Sequence, residues 1–253
     1  MPPEVLSIIL ANIDILELIH LRVVNKRWKD VIDLLCQLEQ SLQLSFDRAT
    51  WNFKGMWLDL ENLIVINYRG RGRRAIQELS TSLQRQFPNV QNLDIYHLRV
   101  LCIGFRTLLV LLAQWQLTTL ALNIDLNKPQ ATALCKHINS MQYLKQLSLG
   151  RIIEVSFAQL APTLARLERF AIDADYDAFA VFRHLGPSCT HLRYDAYAST
   201  VLQLKESFRI YSRLFSQLTH LRLEYKFDII SLKLLSQYAK NLQYLNVCFD
   251  SSS

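Results

Sequence analysis

CTHLRY at residues 189–194 and LTHLRL at residues 218–223 are two copies of one pattern. Apolar side chains stand at the first, fourth and sixth places: Cys189, Leu192 and Tyr194 in one copy, Leu218, Leu221 and Leu223 in the other. Alternation over the last three places is the signature of a short strand with one buried face. The same spacing recurs along most of the chain, with Leu63, Leu93, Leu120, Leu147, Phe170 and Leu245 at the middle apolar place. Successive middle places lie 22 to 30 residues apart, and Ser41-Leu42-Gln43-Leu44 reads as a degenerate first copy.

Between the copies the apolar spacing becomes helical. It predicts helices over 74–86, 105–114, 129–139, 157–164, 178–184, 204–214 and 230–239. A strand and a helix in every roughly 20–29 residues is the pattern of leucine-rich repeats. One such unit buries little by itself, but stacked units share a continuous core. The expected fold class is therefore α/β: a leucine-rich-repeat solenoid over residues 59–253, with parallel strands on its concave face and helices on its convex face. The Asn or Cys that usually follows the third apolar place is mostly missing, so irregular curvature is expected.

Composition sets outer bounds. Hydrophobic residues make up 51% of the 253, enough for a large core, and six Gly and six Pro are few. The net charge of +6 is spread along the chain, which is weak evidence for nucleic acid and slightly favours acidic protein partners. Five widely spaced cysteines without a C-x-x-C pair argue against a disulfide framework or a zinc site and fit a reducing compartment. The start lacks a basic leader, and the longest apolar run, 100–115, is interrupted by Arg106. A soluble protein of the cytoplasm or nucleus, with no membrane association, is expected.

Residues 1–33, MPPEVLSIILANIDILELIHLRVVNKRWKDVID, break the repeat. Pro2 and Pro3 suit the first turn of a helix, and Asp14 with Glu17 reads as a capping pair opening a second helix over 15–21. A third helix is expected from near Val24 through Trp28, Val31 and Leu35. Three short helices with apolar residues on more than one side leave surface that needs a partner.

This stretch resembles an F-box. The matching residues are Pro2, Glu4, Leu6, Ile9, Leu18, Val24, Lys26 and Trp28, aligned without a gap, while Met1 and Asn25 replace the usual Leu and Cys. The resemblance implies a three-helix module over 1–40 that docks on the Skp-type linker and cullin of an SCF-type ubiquitin ligase through those eight residues. It also implies a non-catalytic role, that of the subunit that recognises the protein substrate. Irregular repeats resembling those at 59–253 are found behind F-boxes. Between the two modules, residues 41–58 carry Trp51, Phe53, Met56 and Trp57, which predict a packed junction.

No catalytic motif, cofactor motif or metal spacing is present, so no enzyme activity, cofactor or metal is expected. Two clusters remain. The repeat register predicts one polar patch on the concave face from Arg169, Asp173, His191, Arg193, Asp195, His220, Arg222 and Glu224. It reads either as a substrate contact or as a charge ladder that satisfies itself. The basic run 69–74, with Arg69, Arg71, Arg73 and Arg74, reads as a solvated loop, a grip on an acidic protein, or a contact to phosphates. The last reading makes the alternative function a ligase-independent scaffold or RNA-binding repeat protein.

Overall fold

The computed structural model describes residues 3–10, 21, 24–38, 41–45, 63–67, 83–99, 105–150, 157–174, 179–196 and 201–249. The chain divides into two compact units, Met1–Thr118 and Thr119–Ser253. The second helix expected at 15–21, the four aromatic and methionine residues at 51–57, and the basic run 69–74 lie outside the described residues, apart from Leu21.

In the first unit, helix α1 spans Pro3–Leu10 and α2 spans Lys26–Leu38. Strands β1 (Ser41–Ser45), β2 (Leu63–Asn67) and β3 (Asn92–Arg99) follow, then helix α3 (Phe105–Leu112). The three strands are parallel, with β1 between β2 and β3: Leu42 pairs with Ile64 on one side and with Leu93 on the other. The SLQL copy is thus a strand. The Leu63 and Leu93 copies, however, are separated by it and do not follow one another as the repeat order alone suggests. Around β3 the core consists of Leu83, Phe87, Val90, Leu93, Ile95, Leu108, Leu111 and Leu112, all at most 2% exposed. Trp115 is closed into it by a hydrogen bond from Nε1 to the Phe87 carbonyl at 2.8 Å, which satisfies its one polar atom.

The second unit repeats strand and helix in chain order. The strands are β4 (Thr119–Asp125), β5 (Gln146–Leu149), β6 (Arg169–Ala174), β7 (His191–Ala196), β8 (His220–Phe227) and β9 (Tyr244–Phe249). Neighbours in sequence are parallel neighbours in the sheet. The connecting elements are α4 (Lys128–Ser140), α5 (Phe157–Leu164), a 3-10 turn (Phe179–His184), α6 (Val201–Ile210), α7 (Ser212–Gln217) and α8 (Ile229–Tyr238).

Local chemistry explains these boundaries. Asn127 and Gln130 form a reciprocal capping box at the start of α4, where Pro129 also fits. Asp228 caps α8 by accepting from the Ser231 amide at 2.6 Å. The single helix expected over 204–214 is two helices, because Tyr211 leaves helical geometry at φ −105°, ψ 30°. The bend lets Phe208 and Phe215 both bury and meet edge to face at 4.9 Å.

The repeat pattern becomes a set of core rows. Leu120, Leu147, Phe170, Leu192 and Leu221 stand in one register across β4 to β8, each at most 2% exposed. Side chains also lace one layer to the next. Thr163 donates to Asn139, Asn139 to the Gln159 carbonyl, Gln217 to the Gly186 carbonyl and Asn241 to the Ser216 carbonyl, at 2.6 to 2.7 Å.

Candidate functional site

Two regions bear on function, and each is built by one unit alone. The first is the pair α1 and α2. Leu6 and Leu10, one helical turn apart, are 1% and 0% exposed, and α2 contributes Val31, Ile32 and Cys36 to the same small core. Asn25 accepts the Trp28 amide at 3.0 Å through its side chain, so it is the N-cap of α2. The polar residue at a place usually held by Cys therefore has a structural use here. The opposite surface of α1 stays apolar: Val5 is 45%, Ile8 67% and Ile9 43% exposed. On α2, Lys26, Arg27, Asp30, Val31 and Leu34 line a shallow pocket of about 520 Å³.

Of the eight residues expected to hold a linker, Ile9, Val24 and Lys26 are exposed, Trp28 is half-buried and Leu6 is buried beneath them. Glu4 lies in α1, and Pro2 and Leu18 fall outside the described residues. Val5 and Ile8 belong to the apolar stripe 5–10, too wide for one helix face, but neither they nor the exposed Leu34 are among the eight. Helical spacing could have found them, since Arg27, Val31 and Leu34 share one face, as do Val5 and Ile9.

The second region is the sheet face of the second unit that turns away from the core rows. Strand register places Arg169, His191, His220 and Tyr244 in one row, Arg193, Arg222 and Asn246 in the next, and Asp173, Asp195 and Glu224 in a third. All eight residues expected to form a polar patch are brought together. The sequence missed two neighbours, Tyr244 and Asn246, because the last copy does not repeat the THLR signal.

The middle of the patch is an ion ladder. Arg193 donates to Asp195 Oδ2 from Nε at 2.7 Å and from Nη2 at 2.5 Å, and Nη2 lies 3.6 Å from Glu224. Arg222 pairs in turn with Glu224. Arg193 and Asp195 stand two apart on one strand, which puts both on the same face. Burial raises the Asp195 carboxyl above its ordinary value, against the pull of Arg193.

The first row is aromatic. His191 and His220 stack at 4.1 Å between centroids and 7° between planes, and Tyr244 continues the stack at 5.8 Å. Each imidazole is tethered through Nδ1 to the threonine before it, at 2.9 Å for Thr190 and 3.0 Å for Thr219. The Thr219 hydroxyl also reaches the Thr190 carbonyl at 3.2 Å.

Burial, and then the charge of Arg169, hold His191 well below its ordinary 6.5, at about 4. Between those values the unfolded chain binds the proton and the folded chain does not, so stability rises with pH. This contribution is complete above 6.5 and is lost as the pH falls toward 4. Urea unfolding at pH 7 and pH 4.5 is therefore expected to show a larger loss for the protein than for His191→Asn. The difference should be about 1 kcal/mol once solvent screening of the half-exposed ring is allowed for. Equal losses would show that the ring is not held neutral.

Burial pushes the Cys189 thiol up to about 12 and Cys135 up to about 11, so neither is a thiolate nucleophile. Among the described residues no three His, Cys, Asp or Glu side chains converge as metal ligands, and no helix is long and apolar enough to cross a membrane.

Comparison with known proteins bears on the first region. A family model described as F-box domain matches residues 1–39, the segment that holds α1 and α2. No curated protein matches the chain. The match supports an F-box protein. The class acts in general as the substrate-receptor subunit of SCF-type ubiquitin ligases, binds a Skp-type linker, and is generally a non-catalytic adaptor.

Proposed function

We propose that this chain is the substrate receptor of an SCF-type ubiquitin ligase. Residues 1–39 bind the linker and, through it, the cullin; a leucine-rich-repeat array over 59–253 holds a protein substrate on its exposed sheet face. The protein works in the cytoplasm or nucleus. The chain makes no bond itself. It raises the effective concentration of a substrate lysine near a charged ubiquitin carrier. The observation that carries the reading is the exposed apolar surface of Val5, Ile8 and Ile9 on α1, inside the segment matched by the F-box model. Support for the array comes from the parallel strands of the second unit, each separated from the next by a helical segment and each carrying the L-x-x-L-x-L pattern. The alternative RNA-binding reading rests on the basic run 69–74, and no observation among the described residues favours it.

The test is co-purification with a Skp-type linker and cullin. Burying an Ile side chain is worth about 1.5–3 kcal/mol. Replacing Ile8 and Ile9 together by Asp is therefore expected to weaken linker binding by about 100-fold or more. The fold should stay intact, because both residues already face solvent. Undiminished capture of the linker by this variant would sink the proposal.

A further inference from the structure

The receptor reading leaves the chemistry of the substrate open, and the patch on β6 to β9 narrows it. A face that reads phosphate or carboxylate needs guanidinium groups able to fork onto the incoming anion. Here Arg193 already turns Nε and Nη2 onto Asp195 Oδ2, with its side chain only 12% exposed, and Arg222 is held by Glu224. Turning either toward a ligand would strip a carboxylate of its partner, and Asp195 is 2% exposed. Burying a charge without its partner is the expensive outcome. Across the three rows, Arg169, Arg193 and Arg222 are matched in number by Asp173, Asp195 and Glu224. The patch therefore has little net field with which to steer an anion. An incoming phosphate would also meet three carboxylates in adjacent register.

The stacked row differs in kind. His191 and His220 are half-exposed, and Tyr244 is 43% exposed at the end of the stack. Planar rings held in register present apolar surface together with hydrogen-bonding atoms. That combination suits backbone amides, side-chain amides, hydroxyls and aromatic groups. We infer that the substrate segment bound on this face is uncharged and unphosphorylated, and that it is read by the ring row His191–His220–Tyr244 while the ion ladder serves as a rigid floor. This rests on the receptor reading above and specifies the substrate class for the same site.

The experiment uses the full chain co-purified with a Skp-type linker. It is applied to immobilised short random peptides in three sets: neutral, rich in Asp and Glu, and bearing phosphoserine. Binders are expected from the neutral set, with affinity nearly independent of salt. Tyr244→Ala and His220→Ala should each weaken these binders about tenfold or more while linker capture is unchanged. Lys136→Gln, exposed on α4 and outside the patch, should leave them within about twofold. Binders confined to the acidic or phosphoserine sets, a steep loss with salt, or ring variants that bind as well as the parent would overturn the inference and leave the receptor reading standing. An RNA probe that competes for the same rings would also overturn it. No binder in any set would remove this face as the substrate contact. The linker test with Ile8 and Ile9 stands apart from all these outcomes.

Discussion

Phe182→Ala is expected to lower the stability of the protein by about 3–5 kcal/mol. Phe182 is 2% exposed and lies at the centre of an aromatic cluster. Its ring meets Phe179 at 5.6 Å, Tyr194 at 5.3 Å, Tyr211 at 5.6 Å and Phe215 at 5.9 Å, each near edge-to-face. These partners come from the 3-10 turn, from β7, from the bend between α6 and α7, and from α7. Truncation therefore opens a cavity between layers, and no single side chain can swing in to fill it. A domain stable by about 5–15 kcal/mol loses a large share of that margin. The cavity term can be isolated with Phe182→Leu, which keeps much of the volume and should cost under about 2 kcal/mol. A urea midpoint for the alanine variant within error of the parent would mean that this cluster is not packed as described.

The second large effect is expected from a single methyl group. Gly186 follows the 3-10 turn, and its backbone lies against the end of α5. A Cβ built there would stand 1.8 Å from the Ala165 carbonyl oxygen. The obstacle is backbone, so no rotamer change relieves it. Its own carbonyl also accepts from Gln217 at 2.7 Å and from the Cys189 amide at 3.2 Å, so the turn is held on both sides. Gly186→Ala should cost about 2–3 kcal/mol, as overpacking does elsewhere. Gly186→Ala paired with Ala165→Gly should recover little, because the clash is with a carbonyl that every residue carries. Full recovery by the pair would contradict the geometry, and so would a neutral single variant.

Much of the second unit could be read from spacing. The helix over 157–164 agrees with expectation residue for residue, and the paired THLR copies gave the register that assembles the eight-residue patch. These features depend on local periodicity, which the chain writes directly into its sequence. What escaped depends on relations between distant segments. Nothing in SLQL says that β1 sits between β2 and β3, because the position of a strand is decided by pairing partners and not by its own alternation. A matching pattern does not separate the buried positions of a helix pair from the exposed ones: Leu6 is buried where Ile9 is exposed. Asn25 looked like a departure, yet its side chain supplies the cap that starts α2. The ion ladder was half legible: the pairing of Arg193 with Asp195 follows from alternation, but the stacking of His191 on His220 needed the actual ring orientations.

The strand that ends the ring stack is also weakly protected. Leu245 and Val247 on β9 are in register with Leu221 and Leu223 on β8, which are fully buried, yet both are half-exposed. Ile229 and Ile230, at the start of the preceding helix, are 78% and 66% exposed. Opening β9 therefore forfeits little buried area, and its amides belong with the low-energy end of the exchange spectrum. Tyr244 rides on this strand. A segment that stacks on Tyr244 selects the closed form of β9 and lends it part of its own binding free energy, so occupancy of the face can be followed as slowed amide exchange at 244–249.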